Sequence, residues 1–316
     1  MSAAAVVTAD DVEAAAHRIA GHVRETPVLE IEAAAFGLPS AITLKLELLQ
    51  HAGSFKPRGA FNRVLAARVP AAGVIAASGG NHGVAVAHVA RSLGHRAEIF
   101  VPSVSAPAKV ARIRALGAEV TVGGAAYEDA QAVATARAAD TGALLVHPYD
   151  HPMVVAGQGT MARELERQAP STDTVLVAVG GGGLIAGVAA WFGERVKIVS
   201  VEPAAIPAMY EARHAGHPVT VAVSGLAADS LGAPAIGAVP FATAAPFVDG
   251  AVLVTEDAIR TAQRALWEAV RLMAEPGGAT ALAALLSGAY RPESGERVTV
   301  VVCGSNVDPT TVTATL

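Results

Sequence analysis

Short apolar runs alternate along this chain with stretches of helical spacing, almost from one end to the other. Residues 8–20 predict a helix, with Thr8 or Asp10 as N-cap and Gly21 as its stop. Residues 42–49 alternate as a strand and 61–68 have a helical period. Strands are then predicted over 73–77, 97–101, 119–122 and 144–147, with helices over 84–93, 107–116 and 127–140 between them. Beyond these come a helix over 157–168, a strand over 174–179, a helix from 184 and a strand over 196–201. The series ends with helices over 255–274 and 278–286 and a strand over 298–302. Residues 202–248 are rich in Pro, Ala and Gly and carry no clear period.

Apolar strands separated by helices imply an α/β fold with a mostly parallel sheet covered on both faces. The compact β/α set over 73–141 reads as a small lobe inserted in a larger one made of 1–72 and 142–316. In such sheets ligands bind beyond the carboxyl ends of the strands. Three loops are expected there: Ser78–Gly83, Gly180–Gly183 and Cys303–Asn306.

Composition narrows the function. With 316 residues, 52% hydrophobic and 16% charged, the chain can bury a large core. Its net charge of −5 comes without a basic block, so no nucleic-acid surface is expected and the partner should be small. A single cysteine, Cys303, excludes an intramolecular disulfide framework, and no zinc spacing occurs, which fits a reducing cytoplasm. The amino terminus lacks a basic region and runs into Asp10-Asp11, so no export signal is expected. Residues 174–193 are uncharged, but the four glycines Gly180–Gly183 break them into strand, loop and helix, and no membrane span is expected.

Candidate chemistry starts at Gly53-Ser54-Phe55-Lys56-Pro57-Arg58-Gly59-Ala60. Here Lys56 stands at a strand-to-helix junction beside Pro57. A nearby helix N-terminus disfavours a protonated amine, and a neutral lysine is a nucleophile and base. Alone, the octapeptide favours a surface lysine in a Gly/Pro turn over a reactive one. The Gly180–Gly183 loop suits a phosphate held by backbone N–H groups. It also fits a dinucleotide loop over Gly181–Gly187, or plain close packing of helix on strand.

Taken together, Ser54–Ala60, Ser78-Gly79-Gly80-Asn81-His82, His147-Pro148 with Ala156–Thr160, the tetraglycine loop, Glu275–Ala279 and Cys303–Asp308 follow one another as in fold-type II pyridoxal-phosphate enzymes. The chain resembles the serine/threonine dehydratases and serine racemases among them, from about Gly21 onward. The resemblance implies a tryptophan synthase β-like fold of two lobes and pyridoxal 5'-phosphate as cofactor. It implies that Lys56 bonds the cofactor and then takes the substrate α-proton. It further implies that Phe55 packs beside the ring, that Asn81 meets the ring hydroxyl, and that Gly180, Gly181, Gly182, Gly183 and Leu184 hold the phosphate. Cys303 would face the ring nitrogen. Ser78, Gly79 and His82 would bind the substrate carboxylate, although Ser78 could instead cap a helix and His82 could be a packed loop histidine.

A neutral thiol at Cys303 makes the ring a weak electron sink and favours β-elimination over transamination. Gly79 stands where racemases of this family carry a serine base, which counts against serine racemisation. Glu202 is present, but the aspartate that completes the family's divalent site is Ala208 here. No metal is therefore expected beyond a weak monovalent ion at Glu202. No regulatory domain is expected after Leu316, so feedback-controlled threonine deaminases are expected to be poor guides. The expected activity is an ammonia-lyase that converts L-threonine or L-serine to 2-oxobutanoate or pyruvate. The alternatives are 3-hydroxyaspartate or another β-substituted amino acid and, from a different class, an NAD(P)-dependent oxidoreductase. The segments 147–151 and 225–232 are expected to shape the side-chain pocket. Family likeness implies a homodimer, and the apolar helix around 14–19 could serve that contact or the core.

Overall fold

Among the described residues, ten strands form two sheets: β1 Val28–Ile31, β2 Ile42–Lys45, β3 Val74–Ala77, β4 Ala97–Val101, β5 Glu119–Val122, β6 Leu144–Leu145, β7 Thr174–Ala178, β8 Lys197–Pro203, β9 Val248–Val254 and β10 Val298–Val301. This computed structural model describes residues 4–103, 105 and 107–313. Residues 1–3 and 314–316 of the expected large lobe, and 104 and 106 of the expected small one, lie outside the described residues. One sheet has the order β1-β2-β10-β7-β8-β9 and the other β5-β4-β3-β6. Every pair is parallel except β1 with β2. The interior strands β3, β7 and β10 are buried at every position, which is why they read as apolar runs interrupted only by Thr174 and Thr299.

The order β2-β10-β7 decides where the chemistry collects. Val300 of β10 pairs with Leu44 on one side and Leu176 on the other, so the three strands end side by side. The chain leaving β2 toward Lys56, the Cys303 loop and the tetraglycine loop therefore converge at one edge. Ser305 N–H donates to the Gly53 carbonyl at 2.9 Å, Phe55 N–H donates to the Cys303 carbonyl at 3.2 Å, and Ser54 bridges to Gly304. The lysine turn is thus stitched to the end of the last strand.

Several boundaries differ from the expected ones. The strand from 42 stops at Lys45 and gives way to two 3-10 turns, Glu47–Leu49 and His51–Gly53. The helix after it spans Lys56–Leu65, so Lys56 is itself the first helical residue and Pro57 stands in the first turn. The helix of the Ser78 loop begins at Asn81, not 84, and spans Asn81–Leu93. The helix expected from 157 begins at Pro152, where the His151 side chain accepts from Met153 N–H at 3.1 Å. The helix expected to reach 274 spans Glu256–Val270 and stops with Arg271 in the left-handed region at φ 57°. Strands β1 and β9 had no sequence signal, and both are edge strands with largely open faces. β6 pairs with β3 in the four-stranded sheet, past the expected lobe boundary at 141.

The Lys56 helix is anchored by charge as well as by packing. Arg58, fully buried, meets Glu47 through Nε and Nη2 at 2.8 Å and Glu164 through Nη1 at 2.6 Å and Nη2 at 2.8 Å. Burial opposes the Arg58 charge, but Glu47 and Glu164 hold it above its ordinary value. Lys45 Nζ joins the cluster, donating to Glu164 at 3.0 Å and to the Thr26 carbonyl at 2.7 Å. Two cations and two carboxylates, mutually hydrogen-bonded, fix the helix that carries Lys56. Val12, Ala15 and Ile19 of the amino-terminal helix Ala9–Ile19 are also buried, so that face belongs to the core.

Candidate active site

A cavity of about 540 Å³ opens where the two sheets meet, and the three expected loops all reach it. Phe55, Lys56, Ser78, Gly79, Asn81, His82, Gly180, Gly181, Gly182, Gly183, Leu184 and Cys303 line it together. Of the residues given an individual site role from the sequence, Glu202 lies elsewhere, and of the expected segments 147–151 and 225–232 only Pro148, Tyr149 and 228–232 line the cavity.

Lys56 Nζ donates to the Pro148 carbonyl at 2.9 Å and lies 5.1 Å from the Phe55 ring centroid. Burial lowers its pKa from 10.5 to about 8, with Cys303 and Glu275 opposing that shift. A neutral amine is therefore accessible near physiological pH. Across the cavity, Cys303 Sγ donates to the Gly277 carbonyl at 3.4 Å, and burial pushes the thiol far up, so it stays neutral.

The tetraglycine loop leads from β7 into the helix Gly183–Phe192. Gly182 takes φ 86°, which only glycine adopts without strain, and turns the chain so that the helix N-terminus meets the cavity. A Cβ on Gly180 would come 2.9 Å from the Leu231 carbonyl oxygen, and one on Gly181 would enter the Tyr149 ring. Side chains are excluded here, and the backbone N–H groups of the first helical turn, which have no intrahelical acceptor, are left to an anion.

Ser78 Oγ accepts from Gly80 N–H at 3.1 Å, leaving its own proton to donate. His82 behaves differently from the expected carboxylate ligand. Its Nε2 faces the Val146 carbonyl at 2.7 Å, and burial lowers its pKa to about 3. A neutral ring donating from Nε2 offers only an acceptor at Nδ1, which suits the packed loop histidine. Gly79 packs beneath Ser105, and a Cβ there would also come 2.9 Å from Val101. Glu202 accepts from Met209 N–H at 2.6 Å and Tyr210 N–H at 2.8 Å, capping the helix Ala208–Ala215. Burial raises its pKa to about 7, and a helix N-terminus repels a cation, so the geometry gives Glu202 a capping role. Among the described residues no group of three or more His, Cys, Asp or Glu could hold a metal ion.

The structure adds Glu275, to which sequence reasoning gave no role, and brings Pro148, Tyr149 and 228–232 of the two expected pocket segments to the cavity. Glu275 lines the cavity, 2% exposed, with Oε1 2.5 Å from Asn81 Nδ2 and Oε2 without a partner. Its motif, Glu275-Pro276-Gly277-Gly278, was visible, but nothing local indicates that a helix-preceding glutamate meets an asparagine 194 positions away. Tyr149 and Pro148 form a wall of the cavity, and the Tyr149 and Asp150 N–H groups donate to His147 Nδ1 at 3.2 and 2.7 Å. That turn needs a neutral imidazole, and burial supplies one by lowering the His147 pKa to about 4. Residues 228–232 also line the cavity, and Lys109 pairs with Asp229 at its edge.

The residues fit pyridoxal phosphate. An amine drawn toward neutrality, a side-chain-free backbone cradle for an anion, an uncharged thiol and an unpartnered buried carboxylate oxygen share one cavity. The chain belongs to the family of pyridoxal-phosphate-dependent enzymes, which it matches over residues 19–304. That membership sets aside the dinucleotide reading of Gly181–Gly187. Within the family it is similar to the L-threonine ammonia-lyase of Geobacter sulfurreducens, at 38% identity over 95% of this chain and 76% of that protein. It is 39% identical to the biosynthetic L-threonine dehydratase of Escherichia coli over 90% of its own length, but spans only 56% of that relative. Among solved structures, maize serine racemase superposes with a TM-score of 0.92 at 32% identity, covering 98% of this chain and 97% of that one. Among the described residues no helix is long and apolar enough to cross a membrane.

Proposed function

We propose that this protein is a pyridoxal-phosphate-dependent ammonia-lyase that dehydrates L-threonine or L-serine, releasing ammonia and 2-oxobutanoate or pyruvate. The observation that carries the reading is the Lys56 amine, drawn from 10.5 toward about 8 by burial, in one cavity with the glycine cradle and the neutral Cys303 thiol. The names of the L-threonine ammonia-lyase and dehydratase relatives support the substrate class.

Bound pyridoxal phosphate supplies the electron sink that acidifies the amino-acid α-carbon. The chain's residues do the rest. Backbone N–H groups of Gly180 to Leu184 would hold the phosphate, Asn81 would donate to the ring oxygen and Phe55 would pack beside the ring. Ser78 Oγ–H, with the loop N–H group of Gly79, holds the substrate carboxylate, while the Gly80 N–H orients Ser78 Oγ and His82 packs the loop from behind. Lys56 Nζ in its neutral form takes the α-proton. Cys303, a neutral buried thiol, would face the ring nitrogen without a full negative charge, which would favour departure of the β-hydroxyl over transamination. Residues 73 to about 146, including β6, form the small lobe that carries the carboxylate loop, and 4–72 with 147–313 the large one. We also place the protein in the cytoplasm as a homodimer, which sedimentation of the purified chain would test.

One observation favours a second activity. Ser105 Oγ packs on Gly79, so a hydroxyl does stand where residue 79 has none. Racemisation through Ser105 predicts D-serine formation that Ser105→Ala abolishes.

The deciding experiment is on purified protein with added cofactor, following visible absorbance in wild type and Lys56→Ala and then 2-oxo acid and ammonia from each amino acid. A Lys56-dependent band with both products supports the reading. A band without turnover of either amino acid sinks the substrate assignment, and no band sinks the assigned cofactor contacts.

A further inference from the structure

Asparagine oxygen and nitrogen have nearly the same shape, so the way Asn81 faces is decided by its partners. Asn306 settles it first. Its Oδ1 accepts from Arg112, which can only donate, and its Nδ2 donates to the Ala52 carbonyl at 2.8 Å, which can only accept. The same Nδ2 lies 2.7 Å from Asn81 Oδ1. Asn81 therefore turns its oxygen toward Asn306 and its nitrogen toward Glu275 Oε1, 2.5 Å away. Glu275 lines the cavity and Asn306 does not, so the nitrogen end of Asn81 is the cavity end. That nitrogen carries two protons, one for Glu275 and one to spare. The carboxylate has its room because position 304 is glycine, where a Cβ would come 2.9 Å from Glu275 Cδ.

We propose that Glu275 and Asn306 are positioning residues that lock the Asn81 amide with its N–H toward the cavity, so that the site selects the deprotonated ring oxygen of the cofactor. The proposal rests on the reading that Asn81 meets that oxygen. A flipped Asn81 would present a carbonyl to an anionic oxygen, replacing an attractive contact by a repulsive one. Arg112 lies on the helix Pro107–Ala115, so the chain of donors Arg112, Asn306, Asn81 also ties that helix to the cofactor seat.

The test uses the full chain stripped of cofactor and reads two quantities separately: the thermal midpoint without cofactor, and the pyridoxal-phosphate Kd from the visible band. Glu275→Gln keeps an amide oxygen that still accepts from the Asn81 nitrogen, whereas Asn306→Asp sets an acceptor against its oxygen. Asn306→Asp alone should therefore lower the midpoint and weaken cofactor binding about tenfold or more, and Glu275→Gln alone should change both little. In the double variant the new glutamine turns its nitrogen inward and lets Asn81 flip. Adding Glu275→Gln to Asn306→Asp should therefore recover midpoint while affinity stays low. Recovery of affinity along with midpoint overturns the proposal, as does normal affinity in Asn306→Asp when Asn81→Ala binds weakly. Normal affinity in Asn81→Ala instead overturns the assignment of Asn81 to the cofactor, and the proposal with it.

Discussion

Lys56→Met should make the cofactor-free protein more stable, and the gain should depend on pH in a way that no loss of packing can imitate. Burial lowers the Lys56 pKa from 10.5 to about 8. At about 1.4 kcal/mol per unit, keeping the proton on this amine in the folded state costs up to about 3 kcal/mol. That is an upper limit, since the side chain is partly open to the cavity. Methionine has a similar length, fills the same space and carries no charge, but gives up the bond to the Pro148 carbonyl. At pH 7, below both the folded and the unfolded pKa, both states are protonated and the full cost is present. Between about pH 8 and 10.5 the folded state has released its proton while the unfolded chain still holds one. Wild-type stability therefore rises with pH relative to the variant. Urea unfolding of both cofactor-free proteins across this range should show the variant ahead by up to about 3 kcal/mol at pH 7, with the gap closing toward pH 10.5. A gap of constant size, or wild type ahead at pH 7, would refute the burial of a charged amine as the source of its reactivity.

Three further outcomes follow from the packing. Arg58→Met leaves the buried Glu47 and Glu164 with Lys45 as their remaining cation in the cluster, and should cost about 3–5 kcal/mol in urea unfolding. Gly181→Ala drives a methyl into the Tyr149 ring and should cost about 1–3 kcal/mol while weakening cofactor binding, read by the same unfolding assay and a titration of the visible band. Thr8→Ala removes a capping box in which Thr8 and Asp11 satisfy each other's backbone N–H groups, and should cost about 1 kcal/mol with no change in cofactor affinity.

Much of the site was legible in the chain because its chemistry is local. A lysine before a proline, four glycines between a β-branched run and an apolar run, and a cysteine at a strand end each state a backbone geometry in a few residues. All of them line the cavity. Buried parallel strands were legible for the same reason, since a strand covered on both faces is nearly continuous in apolar residues, as β3, β7 and β10 are apart from Thr174 and Thr299. The edge strands β1 and β9 were not, because an open face accepts Leu29, Glu30 or Asp249 alike.

What only the tertiary structure decided is how groups distant in the chain divide their hydrogen bonds. The residue type makes His82 a candidate ligand, but the Val146 carbonyl 64 positions away occupies its donor. Glu202 has the composition of an ion ligand, and the helix N-terminus folded against it makes it a cap. Asn81 was readable as a residue of the site, whereas the direction of its amide depends on Arg112, Asn306, Ala52 and Glu275, from four separate elements. A sequence determines which donors and acceptors exist. Which of them are spent on one another depends on the few ångströms that only the packed sheets and helices set.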